Sequence, residues 1–516
     1  MKGVGALPQL RSTRNPLLAL GFSAAALFLA YKAAQAILAN DLNTLGLSAL
    51  LLIGGAVFIA ILNNWKRGLY LLIGWILFED FVRKYLGNNM AIYFAKDALA
   101  LVLYLSYFRA RRVKQVEKLK LPFRLAFIAF FWFCLLQMFN PASPSVFYGI
   151  LGMKIDFLYV PLLFIGYTFT ESEEDLRRFF SFMCVLIIIV AGLGLAQSII
   201  GPTFLNPKNL QDDIRDLATL YRVSPITGLA AYRPTSVFVS SGRFQDFLII
   251  AWPICLGYSG YLLLRSRQGR ALVFTTLGVV AAASLMSASR GVFMWNAGVT
   301  LVVIAGFIWG APWRQREALR VLRAIQRTCL LIGVGFILLL TVFPQELGSR
   351  LAIYSETLLP NSPTSELVAR TQTYPLQQLS YAFDHPRWPY GYGLGTVTLG
   401  GQYVQRILGA APTNIGVESG FGNWIVETGI LGLILFLILG ASIGFCAWKV
   451  VLKLRGTPWF PLSFVIFLFS VLLFFPMTYT SLNTYQDFVI NSNLWLLLGI
   501  LFRLETYPAA LRLAHE

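Results

Sequence analysis

Arg233 and Arg290 fall at the boundaries of apolar stretches, with Arg222 and Arg243 nearby in sequence, and each offers a permanently charged, planar fork of donors that can hold two oxygens of one anionic group. Glu418 precedes another apolar stretch. A carboxylate within hydrogen-bond reach of an attacking hydroxyl can take the proton that the hydroxyl loses. Between them runs Asp384-His-Pro-Arg-Trp-Pro-Tyr-Gly-Tyr-Gly-Leu-Gly-Thr396, where Gly391, Gly393 and Gly395 permit tight structural turns or an anion nest of backbone N–H groups. No helix with the Lys-Ser/Thr of a nucleotide loop follows it. Each residue also has a structural alternative. Arginines at the ends of membrane spans commonly snorkel, and a carboxylate at a helix start complements the helix dipole. The two histidines are His385, in the Gly/Pro run, and His515, near the end of the chain, and the five cysteines are dispersed without metal or disulfide spacing. No cofactor or metal site is expected from these patterns.

The elements that must position these residues are apolar. Of 516 residues, 57% are hydrophobic and 13% charged, with mean hydropathy +0.66. Soluble domains carry about a quarter charged residues, so a soluble enzyme is excluded. Recurring apolar runs predict an all-α polytopic membrane protein with fourteen spans: 17–39, 42–62, 68–82, 91–107, 123–139, 150–169, 179–200, 244–263, 271–287, 291–310, 328–344, 424–448, 459–478 and 489–502. The net charge of +18 would suggest nucleic acid for a soluble protein, but its placement argues for topology instead. With a cytoplasmic N terminus, inside segments hold 26 of the 42 basic residues, including clusters at 109–120 and 314–327. Both termini are therefore expected in the cytoplasm, and the first apolar stretch reads as an uncleaved anchor.

Two expected outer segments, 201–243 and 345–423, are too long for simple connections. Residues 210–221 have helical apolar spacing behind Asp212 and Asp213, as in a surface amphipathic helix. Ser362-Pro363 reads as the start of a helix reaching Phe383, interrupted or kinked at Pro375. Within spans, Lys96 and Asp97, and Lys154 and Asp156, are expected to pair across helices or to mark an aqueous path.

Tyr232-Arg233-Pro234-Thr235-Ser236-Val237-Phe238, Ser289-Arg290-Gly291, the run from Pro386 to Gly395, and Glu418-Ser419-Gly420-Phe421-Gly422-Asn423-Trp424 leading to Glu427-Thr-Gly429-Ile-Leu-Gly432 occur in this order. Together they resemble the O-antigen ligase and polysaccharide polymerase family of membrane glycosyltransferases, over roughly residues 150–450. The resemblance implies an architecture of the membrane glycosyltransferase C type. It divides the chain into N-terminal helices (1–149), a catalytic region (150–450) with both outer loops, and C-terminal helices with a tail (451–516). It further implies metal-independent transfer of a glycan from an undecaprenyl-pyrophosphate carrier to a glycan hydroxyl, including a lipid-linked one, at the outer face of the cytoplasmic membrane. Envelope-polysaccharide assembly proteins are implied partners, and nucleic acid is not. Arg233 and Arg290, with Arg222 and Arg243 nearby, would then engage the pyrophosphate, and Glu418 would be the base. Ligases of the family carry a His just before the closing Glu-x-Gly-x-x-Gly pattern, where this chain has Glu418. That departure favours a polymerase or related transferase over a lipid A-core ligase. The competing class is a polysaccharide or lipid-linked oligosaccharide transporter.

Overall fold

The computed structural model describes residues 54–86, 90–112, 119–207, 220–223, 230–312, 341–358, 373–398 and 415–507, with isolated positions elsewhere. The helices that matter below are α1 (Gly54–Asn63), α2 (Trp65–Tyr85), α3 (Met90–Arg112), α4 (Arg124–Gln137), α5 (Val146–Phe157), α6 (Leu162–Phe169), α7 (Glu173–Ile200), α8 (Ser241–Arg265), α9 (Arg270–Met286), α10 (Arg290–Gly310), α11 (Pro344–Leu358), α12 (Tyr374–Asp384), α13 (Gly420–Lys453), α14 (Phe460–Leu472) and α15 (Phe488–Leu504). One antiparallel ribbon, β1 (Tyr221–Val223) with β2 (Ala230–Tyr232), interrupts the helical pattern. The chain is a mostly helical, multi-pass membrane protein.

The expectation of fourteen spans is corrected. Among the described residues, six helices are long and apolar enough to cross a membrane: Val146–Phe169, Glu173–Ile200, Ser241–Arg265, Arg290–Gly310, Gly420–Lys453 and Phe460–Thr480. The difference has physical causes. The expected spans 123–139, 271–287 and 489–502 are helices of 14, 17 and 17 residues, shorter than the roughly 20 that an upright helix needs to cross the hydrocarbon core. Spans 68–82 and 91–107 fall in α2 and α3, whose apolar character is diluted by Glu79, Asp80, Lys96 and Asp97. Span 17–39 and most of 42–62 and 328–344 lie outside the described residues, as do the expected amphipathic helix at 210–219 and the start of the helix at Ser362.

Two compact units divide the chain. The smaller comprises Met1–Leu71 with Leu101–Arg109, and the larger comprises Leu72–Ala100 with Ala110–Glu516. In the smaller, Ser106 satisfies its hydroxyl by donating to the Ile61 carbonyl at 2.9 Å. In the larger, α6 packs against α15 at glycines: a Cβ on Gly166 would stand 2.2 Å from the Leu496 carbonyl oxygen, and one on Gly499 would stand 2.1 Å from that of Leu163. Only small residues allow two membrane helices to approach so closely. An aromatic group of Phe130, Trp424, Phe436 and Tyr485 fills the space where α4 meets α13.

Candidate functional site

Three segments distant in sequence meet beside the ribbon. Arg222 stands opposite Ala231 in the β1–β2 register, and the Arg233 backbone N–H extends the ribbon by donating to the Leu220 carbonyl at 2.7 Å. Ala231 packs with Ala288, from the turn between α9 and α10, and with Ile353 of α11. Arg350 of α11 is fully buried and ties the same pieces together, donating from Nε to the Met286 carbonyl at 2.9 Å and from Nη2 to the Tyr232 carbonyl at 3.2 Å. Tyr354, one turn along, stacks on Phe293 and donates to the Leu285 carbonyl at 2.9 Å. Its phenol is pushed up to about 12, chiefly by burial, against the lowering effect of Ser287, Arg350 and Arg222.

Arg233 is half-buried in this corner. With the Gln245 amide turned so that its oxygen faces the guanidinium, Arg233 donates to it from Nη2 at 3.0 Å and from Nε at 3.3 Å, while the Gln245 nitrogen donates to Ser289 Oγ at 2.9 Å. Ser289 is the N-cap of α10, accepting from the Val292 N–H, and the next residue is Arg290. Gln245 thus bridges the Arg233 segment to the Arg290 turn. Burial lowers the Arg233 pKa from its ordinary value, and the neighbouring Arg222 lowers it further. An Arg stays charged under such shifts. Among the described residues Arg233 therefore meets a neutral amide and a like charge, an arrangement that favours an anion coming in.

The backbone on both sides is unusual. Ser236 and Ala288 each have φ of 51°, in the left-handed region that non-glycine residues avoid. Such conformations persist where their surroundings over-determine them. Gln197 supplies part of that determination from within α7: its Oε1 accepts from the N–H groups of Thr235 at 2.8 Å and Ser236 at 2.7 Å, and its Nε2 donates to the Phe204 carbonyl at 2.7 Å.

Arg243 faces elsewhere. Its fork is taken by Asp80 and by Asp487, the latter at 2.9 Å, and Asp487 also caps α15. Arg83 reaches Asp80 at 2.9 Å, Lys96 pairs with Glu79 at 3.1 Å, and Lys154 pairs with Asp97 at 2.6 Å. Lys96, Asp97 and Lys154 thus pair across helices, one of the two outcomes expected for the charges at these positions. Asp156 is fully buried.

Glu418 belongs to a second group. It is exposed, and its N–H donates to Gln378 Oε1 of α12 at 3.1 Å. Next to it Ser419 caps α13 by accepting from Gly422 N–H and donates to the Tyr479 carbonyl at 3.1 Å. The glycine run folds against the same helix. Gly391, Gly393 and Gly395 all have positive φ, and the N–H groups of Gly395 and Val397 donate to the Glu427 carboxylate at 3.2 and 2.8 Å. The group held by this loop is the chain's own Glu427 carboxyl. α13 is interrupted at Gly429, φ 76°, where a Cβ would meet the Pro389 carbonyl oxygen at 2.3 Å. His385 is half-buried with its ring edge-on to Tyr392.

The structure thus brings Arg222 and Arg233 into one corner, linked through Gln245 and Ser289 to the turn that carries Arg290, and places Arg243 in an ion network and Glu418 on an exposed loop. Arg350, Gln245 and Gln197 are among the polar residues of the corner that sequence reading did not select. Gln197, a lone amide in the apolar run 183–200, carried a signal, since a polar group in such a run must find a partner. Arg350 had a weaker one, at helical spacing with Leu347 and Tyr354. Among the described residues no grouping of three or more His, Cys, Asp or Glu side chains could hold a metal ion. Compared with known proteins, the chain matches no family model and no curated protein.

Proposed function

We propose that this protein is a membrane glycosyltransferase of the polymerase or ligase type. In this reading it moves a glycan from an undecaprenyl-pyrophosphate carrier to a glycan hydroxyl at the outer face of the cytoplasmic membrane. The observation that supports it best is the corner in which Arg222 lies beside Arg233, Gln245 bridges Arg233 to Ser289, the residue before Arg290, and Arg350 ties the ribbon to the end of α9. The acceptor oxygen attacks the anomeric carbon, a new carbon–oxygen bond forms, and the bond to the carrier phosphate breaks with its electron pair going to the pyrophosphate. Charge growing on that leaving group is what forked guanidinium donors stabilise. The hydroxyl proton passes to Glu418, an assignment that rests on the family resemblance and on the exposure of its carboxylate. Inversion at the anomeric carbon follows from the same resemblance.

The test is a cell-free reaction of purified protein with a lipid-linked glycan and two acceptors, a second lipid-linked repeat unit and a lipid A-core. A ladder on the carrier identifies a polymerase, and a single transfer to the core identifies a ligase. The buried network around Asp80 and Arg243 favours a second reading, a transporter, because paired charges between membrane helices are a recurring element of coupled transport. Carrier movement across the bilayer without a new linkage would select it.

A further inference from the structure

We propose that Lys84 is a positioning residue for Arg233, an inference that rests on the reading of Arg233 as a contact to the donor pyrophosphate. Lys84 lies in the last turn of α2 and is 3% exposed. Its Nζ donates to Thr235 Oγ1 at 2.9 Å and to the Ser236 carbonyl at 2.7 Å. Burial pushes the Lys84 amine down to about 7, opposed by the neighbouring Asp80, which also accepts from the Val239 N–H at 3.4 Å. The amine can donate to both oxygens in either protonation state, and its charged form grips the corner more strongly.

What it grips is the strained residue. All three polar groups of Ser236 are bonded: its N–H to Gln197, its carbonyl to Lys84, and its hydroxyl to the Val190 carbonyl at 2.6 Å. Pro234 has a fixed φ, and the Arg233 N–H is pinned to Leu220. The guanidinium thus hangs from a short segment held at both ends, one end by the ribbon and the other by Lys84 and Gln197. Loosening the second end would let Arg233 swing off Gln245 without removing any group that touches the anion. Sub-ångström placement of a binding group by a supporting shell is what sets its usefulness.

The full-length protein in detergent or nanodiscs is compared as wild type, Lys84→Met, Arg233→Ala and the double variant, with lipid-linked donor for turnover and glycan-free undecaprenyl pyrophosphate for binding. Lys84→Met should raise the donor KM about tenfold and weaken carrier binding equally, with kcat within about threefold. In the Arg233→Ala background the same substitution should add less than about twofold, because the residue through which it acts is gone. Multiplicative effects in the double variant, or an unchanged donor KM in Lys84→Met, overturn the inference while leaving the pyrophosphate reading intact. Unchanged carrier binding in Arg233→Ala overturns both. If Lys84→Met does not accumulate, Thr235→Val removes one of the two acceptors at nearly constant volume. It should raise the donor KM in the same direction, and an unchanged KM there likewise overturns the role of Lys84.

Discussion

At the scale of single residues, four arginines of similar sequence setting have different surroundings, and their substitutions should separate accordingly. Arg233→Ala and Arg290→Ala should each lower transfer by at least about tenfold at subsaturating donor, since a charge-assisted hydrogen bond contributes about 1.5–3 kcal/mol. Arg290→Lys should restore only part, because an ammonium lacks the planar fork. Normal turnover of both alanine variants at normal membrane level would reject the pyrophosphate site. Arg243→Ala should instead act on folding. Removing it takes the guanidinium from Asp487 and leaves Asp80 to Arg83 in a nearly dry interior, and breaking buried pairs of this kind costs about 3–5 kcal/mol. The expected result is a lower melting temperature in detergent and reduced membrane level; full stability with selectively weakened donor binding would return Arg243 to the donor site. For Glu418, Gln keeps the volume and removes the proton-accepting charge. Glu418→Gln should slow the chemical step by about 10²–10⁴-fold with donor binding retained, whereas His385→Ala should be mild. The reverse pattern would move the base to His385.

At the scale of elements, the glycine run shows how one pattern can serve either of two purposes. Alternating glycines suit an anion nest, and nothing in the run says which anion. The break of α13 at Gly429 admits the loop against the helix, and the Glu427 carboxylate meets the N–H groups of Gly395 and Val397. Gly395 has φ 84° and its Cβ position lies 1.9 Å from the Tyr148 carbonyl oxygen. Gly395→Ala should therefore destabilise the loop far more than the about 1 kcal/mol of an ordinary helical Gly–Ala exchange, read as early proteolysis between α12 and α13. Wild-type protease resistance would show that the loop is not locked in this way. The same logic explains why the role of Arg350 was hard to read: its acceptors include the carbonyls of Met286 and Tyr232, and no sequence pattern records which backbone oxygens a distant arginine will meet.

At the scale of the whole molecule, the basic-residue asymmetry makes a topological prediction. Cysteine labels placed at Arg112 and Arg320 should react only from the cytoplasmic side, and labels at Gln211 and Ser365 only from outside; accessibility on opposite sides would invert the orientation. Membrane class was legible because apolar composition and run length are properties of the chain itself, fixed by what lipid will solvate. So was the position of the six long helices, each of which overlaps an expected span. The number of spans was not, because an apolar run of 14 to 17 residues can cross only with help from bilayer thinning or neighbours, and an apolar run with internal charges can be held by partners instead of lipid. The arginines, the glutamate and the glycines could be selected in one dimension from residue type and spacing. Which of them share a surface depended on long-range closure: the Gln245 bridge to Ser289, the Arg350 tie between α9 and the ribbon, and the two carboxylates that claim Arg243. A guanidinium has the same charge in all these places. Its role is decided by whether the tertiary structure brings an acid, a carbonyl or another cation to meet it.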